Sequence, residues 1–194
     1  MLTYAEMLAL HDAALTDAGR LVERAADGDL HRTTPCDDWD LTALLSHMIG
    51  QNNGFASAVG DGPADVTAYA GPEVTAENVV AEWDTSAAAL RKAFAQADEE
   101  ATVHLAEFDS QVSPALALGM QLLDTVVHAW DVAASIGTTY RPVEVSVGFV
   151  LDSARQIAAR PGGTPGVFAA SLGETGGDPW SDALRLLGRP VPPA

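Results

Sequence analysis

An all-α fold, a four-helix bundle with a short helical C-terminal extension, is the architecture this chain predicts. Hydrophobic residues make up 47% and aromatics only 6%, so alanine, the strongest helix former, carries much of the apolar share. Apolar positions recur at helical spacing over long segments, and Gly- and Pro-rich stretches separate those segments. The 194 residues suit one domain with a sizeable core, and charged residues at 19% fit a globular chain.

The first helix is expected over residues 3–26, where Met7, Leu8, Ala14, Leu15, Ala18, Leu21, Val22 and Ala25 mark one face. Gly28 and the polar "DGDLHRTTPCDD" end it. Asp40 is a suitable N-cap for the second helix, because its carboxylate can accept from a free first-turn amide. Trp39 before it and Leu44 after it have the spacing of a hydrophobic staple. This helix should reach about Val59, before the loop "GDGPADVTAYAGPE". Thr75 can cap a third helix, whose buried stripe is Val79, Trp83, Ala87, Leu90 and Phe94. Residues 99–112 read as irregular, with room for a short extended piece. Ser113 followed by Pro114 starts the fourth helix, and Gly137 after Ile136 ends it. Val143, Val145 and Val147 alternate like a strand, but Val147, Val150, Ala154 and Ile157 continue the pattern too long for one, so helix is expected. Residues 161–179 should be loop, "PWSDALRLLG" a short helix and "RPVPPA" a tail. The bundle is assigned to residues 1–160, with 161–194 expected to pack on the same domain.

Asp and Glu total 27 against 10 Lys and Arg, a net charge of −17. Such a surface repels phosphate backbones and anionic lipid, which argues against nucleic-acid and membrane partners. The single cysteine, Cys36, excludes an internal disulfide framework and a Cys-rich zinc site. The N-terminal segment has no basic n-region or apolar h-region, and no apolar run is long enough to span a bilayer. A cytoplasmic protein is the expectation.

The fourth helix carries a polar seam of Gln121, Asp124, Thr125, His128, Asp131 and Ser135. Their spacing places them in one stripe, and an ordinary solvent-facing stripe is one reading. The other is a metal site. The stripe is narrow and lacks Lys, Arg and Glu, the usual residues of a wet face. Asp124 and His128 are four residues apart, so both can converge on one ion. The second helix offers His47, followed one turn later by Gln51. Three protein ligands would leave an open coordination position, as catalytic zinc sites do. Asp131, three residues after His128, could accept from an imidazole N–H.

"TPCDDWDLTALLSHMIGQNN" and "DTVVHAWDVAASIG" resemble the two motifs of the DinB-like superfamily. They are most similar to the branch related to the metal-binding domain of mycothiol-dependent maleylpyruvate isomerase. The resemblance covers residues 3–190 and implies a metal-binding bundle. His47 matches the histidine of the first motif and His128 that of the second. Asp124 falls where the family has Glu or His. Being a methylene shorter than Glu, it would bring the ion closer to the helix or bind through water. The resemblance implies zinc, and two histidines with a carboxylate also suit nickel or ferrous iron. It further implies a low-molecular-weight thiol, such as mycothiol, as co-substrate, with a thiol-dependent transferase or isomerase-like activity. A homodimer fits the family, though no stripe marks an interface. The isomerase has a further α/β domain that residues 161–194 are too short to supply, so maleylpyruvate is not carried over as substrate. A non-enzymatic metal-binding or interaction module, and a bundle with a degenerate site, remain as alternatives.

Among other residues, His11 is expected at the surface or in a groove, and His31 and His104 in loops without partners. Cys36 reads as a small buried hydrophobe with no basic neighbour. No phosphate-binding glycine loop and no Ser-His-Asp arrangement stands out.

Overall fold

Thr3 starts the chain's first helix by a reciprocal cap: its hydroxyl accepts from the Glu6 amide at 3.3 Å, and the Glu6 carboxylate accepts from the Thr3 amide at 2.8 Å. The helix, α1, runs Tyr4–Ala26. The computed structural model describes residues 2–36, 39–60, 62, 64–160 and 167–191. Within them α2 is Leu41–Gly60, α3 is Val79–Ala95 and α4 is Pro114–Ser135. A small antiparallel hairpin, β1 (Val103–Leu105) and β2 (Ser110–Val112), lies between α3 and α4, with His104 opposite Gln111. It supplies the extended piece expected near residues 99–112. The turn between its strands holds Asp109 at φ 43°, a left-handed conformation that Asp tolerates better than most residues.

Residues 1–138 form one compact unit and residues 139–194 a second. In the first, α1 packs chiefly on α4, and α2 chiefly on α3. The expected stripes of α1 and α3 turn inward, with Leu15, Leu21 and Val22 and with Trp83, Leu90 and Phe94 buried, and Leu44, Leu45 and Ile49 of α2 and Leu118, Leu122 and Val126 of α4 join them in the core. Burying each such side chain contributes about 1.5–3 kcal/mol before chain entropy is counted. In the second unit α5 (Glu144–Ala158) packs with α6 (Pro179–Leu186). The Val-rich run after Pro142 is therefore helix. The expected loop at 161–166 and the last residues of the tail lie outside the described residues.

The caps behave largely as expected. The Asp40 carboxylate accepts from the Ala43 amide at 2.9 Å, and the Ser113 hydroxyl from the Leu116 amide at 3.2 Å. Gly137, at φ 67°, closes α4, with the Thr138 amide donating to the Ala133 carbonyl at 2.9 Å. The third helix differs in its start. It begins at Val79, after Asn78, and Thr75 caps nothing through its side chain; its amide donates to the Asn78 side chain at 2.8 Å. That contact holds residues 75–78 in a turn and delays the helix.

His11 is also corrected. It is buried on the inner face of α1, its ring set edge-on to Phe94 at 5.8 Å. The helical period that buries Met7, Ala14 and Ala18 carries His11 inward with them.

Candidate metal centre

The seam of α4 is not a wet face. Gln121, Thr125, His128 and Asp131 are buried, and only Asp124 and Ser135 are partly open. α2 lies across this seam and brings His47 to it. His128 Nε2 is 3.3 Å from Asp124 Oδ1, and His47 Nε2 is 3.9 Å from the same oxygen. The two imidazoles meet edge to face, with centroids 5.1 Å apart. One donor atom from each of His47, Asp124 and His128 lies within 4.8 Å of the others, a grouping able to hold a cation. All three expected ligands are thus brought together. His47 and Asp124 side chains are 26% and 28% exposed, so the cluster opens to solvent on one side.

The other nitrogen of His128 is also engaged. Nδ1 is 2.9 Å from Asp131 Oδ2, and Asp131 is fully buried. An ionised carboxylate can only accept, so the proton of this bond belongs to His128 Nδ1. The lone pair of a neutral His128 then sits on Nε2, facing Asp124 and His47. A carboxylate behind a ligating imidazole fixes its tautomer and orientation and raises its basicity.

The electrostatics are those of a tightly paired anion and cation. Burial works against a charged Asp124, but the charges and hydrogen bonds of His128 and His47 outweigh it and hold the carboxyl well below its usual range. Burial works against a charged His128 too. Asp124, Asp131 and Cys36 outweigh it and hold the imidazole well above its ordinary value. A positive charge between Asp124 and the two rings is what the site favours, whether proton or metal ion.

The turn before α2 completes the site with residues that spacing did not reveal. The Thr34 hydroxyl donates to the Trp39 carbonyl at 2.9 Å and accepts from the Cys36 amide at 3.0 Å. The Trp39 amide donates to the Cys36 carbonyl at 2.8 Å. The Trp39 ring lies against His47, with centroids 4.6 Å apart, and near His128 at 6.3 Å. Cys36 is half-buried, its Sγ 3.2 Å from Asp131 Oδ2 and 3.9 Å from His128 Nδ1. This corrects the view of Cys36 as an isolated buried hydrophobe: its acidic and imidazole neighbours come from the far end of the bundle's sequence. The "TPC-x-x-W" turn was visible as a motif, but not what its Cys and Trp touch. Two further expectations are corrected: His31 pairs with Asp40 at 3.1 Å, and His104, on β1 rather than in a loop, pairs with Asp109 at 3.3 Å, so both have partners.

Residues 11–133 match the model of the mycothiol maleylpyruvate isomerase N-terminal domain family. Uncharacterized proteins from two strains of Mycobacterium tuberculosis are each 28% identical over 133 residues, covering 67% of this chain and 67% of their own length. Crystal structures of the mycothiol-dependent maleylpyruvate isomerase share the fold. A histidine-to-alanine variant of it aligns with a TM-score of 0.62 at 16% identity, covering 79% of this chain and 70% of that one. The unsubstituted protein aligns with a TM-score of 0.61 at 15% identity over the same shares. With the two motifs placed on α2 and α4 of an all-α, DinB-like bundle, this chain belongs to the mycothiol maleylpyruvate isomerase N-terminal domain family.

Proposed function

We propose that this chain binds one divalent cation, zinc in the first instance, through His47 Nε2, Asp124 Oδ1 and His128 Nε2. The proposal extends to use of the open position to take up a low-molecular-weight thiol such as mycothiol. The observation that carries this reading is the convergence of those three donor atoms within 4.8 Å from two helices, with His128 oriented by a buried carboxylate. Two histidines and a carboxylate match the donor set of catalytic zinc sites that keep one position open. A bound divalent ion would supply Lewis acidity, lowering the pKa of a thiol so that thiolate is present near neutral pH.

The chain's own residues do the rest. Asp124 balances part of the ion's charge. Asp131 keeps the proton on His128 Nδ1 and leaves Nε2 free to ligate. Trp39 covers one face of His47 and limits its rotation. Asp124 Oδ1 and His128 Nε2, 3.3 Å apart, are close enough that both would hold one ion. The transfer of the thiolate to an electrophile, in a cytoplasmic, thiol-dependent transferase or isomerase-like enzyme, completes the reading.

Metal analysis of the purified chain tests it. Stoichiometric zinc is expected in the natural protein and its loss in His47→Ala and in His128→Ala. Metal content unchanged by both substitutions would sink the ligand set. If zinc is lost as expected, thiol-transfer assays on the loaded protein separate an enzyme from a non-catalytic metal-binding module.

A further inference from the structure

The proposed centre employs His47, Asp124, His128 and Asp131 and leaves Cys36 without a role. Its sulfur nevertheless sits at the back of the site. Cys36 Sγ is 3.2 Å from Asp131 Oδ2, the same oxygen that His128 Nδ1 approaches at 2.9 Å. An S–H pointing at a buried carboxylate is a donor, and the thiol reaches that place from a backbone fixed at both its amide and its carbonyl. With the thiol and the imidazole both on Oδ2, rotation of the buried carboxylate would strip a charged group of its bonds, so the pair favours one rotamer.

Cys36, His128 and Asp131 could themselves hold a cation, since a donor atom from each lies within 4.8 Å of the others. The two groupings compete for one imidazole. His128 cannot offer an Nδ1 lone pair to a second ion while its Nδ1–H bonds Asp131. In the back grouping His128 and Asp131 are buried and only Cys36 is partly open, whereas in the front one both His47 and Asp124 are about a quarter open. The front grouping is therefore the accessible one, and the back grouping is a hydrogen-bonded support.

We infer that Cys36 is a positioning residue of the metal centre, its thiol holding the Asp131 carboxylate where that carboxylate orients His128. The inference rests on the proposed ligand set and names a contribution the two ligand-bearing helices do not contain. It also explains the cysteine of the "TPC-x-x-W" turn, since the turn that begins α2 thereby locks a ligand on α4.

Zinc affinity of the full chain, measured by competition with a chromogenic chelator, tests this directly. Cys36→Ala should weaken zinc binding on the order of 10-fold, as loss of such outer partners does. Cys36→Ser, which keeps a donor, should recover most of the affinity. In an Asp131→Ala background, Cys36→Ala should add no further loss, because the residue through which it acts is gone. Far-ultraviolet circular dichroism of the metal-free proteins verifies that each variant is folded. Cobalt-loaded natural protein should lack an intense thiolate-to-metal charge-transfer band. Natural zinc affinity in Cys36→Ala would overturn the inference. So would a loss that persists in the Asp131→Ala background, or a thiolate band in the cobalt form, which would make Cys36 a ligand. Retention of zinc affinity by His47→Ala would instead strike the ligand set itself and take this inference with it.

Discussion

At the residue scale, two buried histidines illustrate opposite outcomes of burial. His128 is surrounded by carboxylates, which more than offset the cost of taking its charge out of water. His11 has no such compensation. Burial pushes its imidazole down to about 4, Arg91 adds to the effect, and Asp12 opposes it only in part. Its Nε2 has no hydrogen-bond partner among the described residues. The folded chain thus refuses a proton that the unfolded chain accepts below its ordinary pKa of 6.5. Stability should be unaffected by His11 above that value and fall as pH drops from 6.5 toward 4, by ~3 kcal/mol in all. Urea unfolding of the natural chain and of His11→Leu at pH 7 and pH 4.5 measures it. The loss on acidification should be smaller in the variant by about 2 kcal/mol, the share accrued by pH 4.5, and equal losses would show that His11 does not titrate as its burial dictates.

At the element scale, α2 is closely approached by the segment that follows it. Tyr69 lies in a 3-10 turn over Val66–Tyr69, and its ring rests directly on Gly54 and against Phe55, at 5.8 Å between centroids. A Cβ on Gly54 would overlap the Tyr69 ring, and one on Gly50 would overlap the backbone at Tyr69 and Gly71. These glycines follow His47 along the same helix and are there for space. Gly54→Ala gains up to about 1 kcal/mol of helix propensity but overpacks a buried contact, which costs typically 1–3 kcal/mol. With the ring this close, the packing term should win and the variant should unfold at lower urea. A stabilised Gly54→Ala would mean that the turn gives way without penalty. Placement on helices also explains which part of the site residue spacing exposed. Asp124 and His128 share α4 and a helical period, so they were legible together. His47 is on another helix, where its polar strip with Gln51 was a weak signal that its motif strengthened.

For the molecule as a whole, charge is the dominant long-range feature. The net charge of −17 repels itself in the compact state, and the exposed ion pairs, such as Arg91 with Asp12 at 2.6 Å and Arg155 with Glu174 at 2.8 Å, offset little of it. Salt weakens both terms, but with 27 acidic against 10 basic side chains the repulsion is the larger. Raising sodium chloride from about 0.02 M to about 0.5 M should therefore raise the thermal midpoint by a few degrees. A midpoint that falls with salt would show that specific ion pairs outweigh the general repulsion. Among the described residues no helix is long and apolar enough to cross a membrane.

Local chemistry is what the amino-acid sequence by itself determined. Helical period, N-caps at Asp40 and Ser113, and the glycine at 137 set the bundle's long helices, because each acts within a few residues of chain. The same period put Asp124, His128 and Asp131 on one stripe. Only the tertiary structure decided that this stripe is buried, that His47 faces it, and that Cys36 and Trp39 close it from the turn before α2. Those are contacts between segments far apart in the chain, and neither period nor spacing carries their distances. Burial also reversed the expectation for His11. The period of Met7, Ala14 and Ala18 already ran through His11, but the polarity of an imidazole argued for the surface, and only the packing of α1 settled which of the two won.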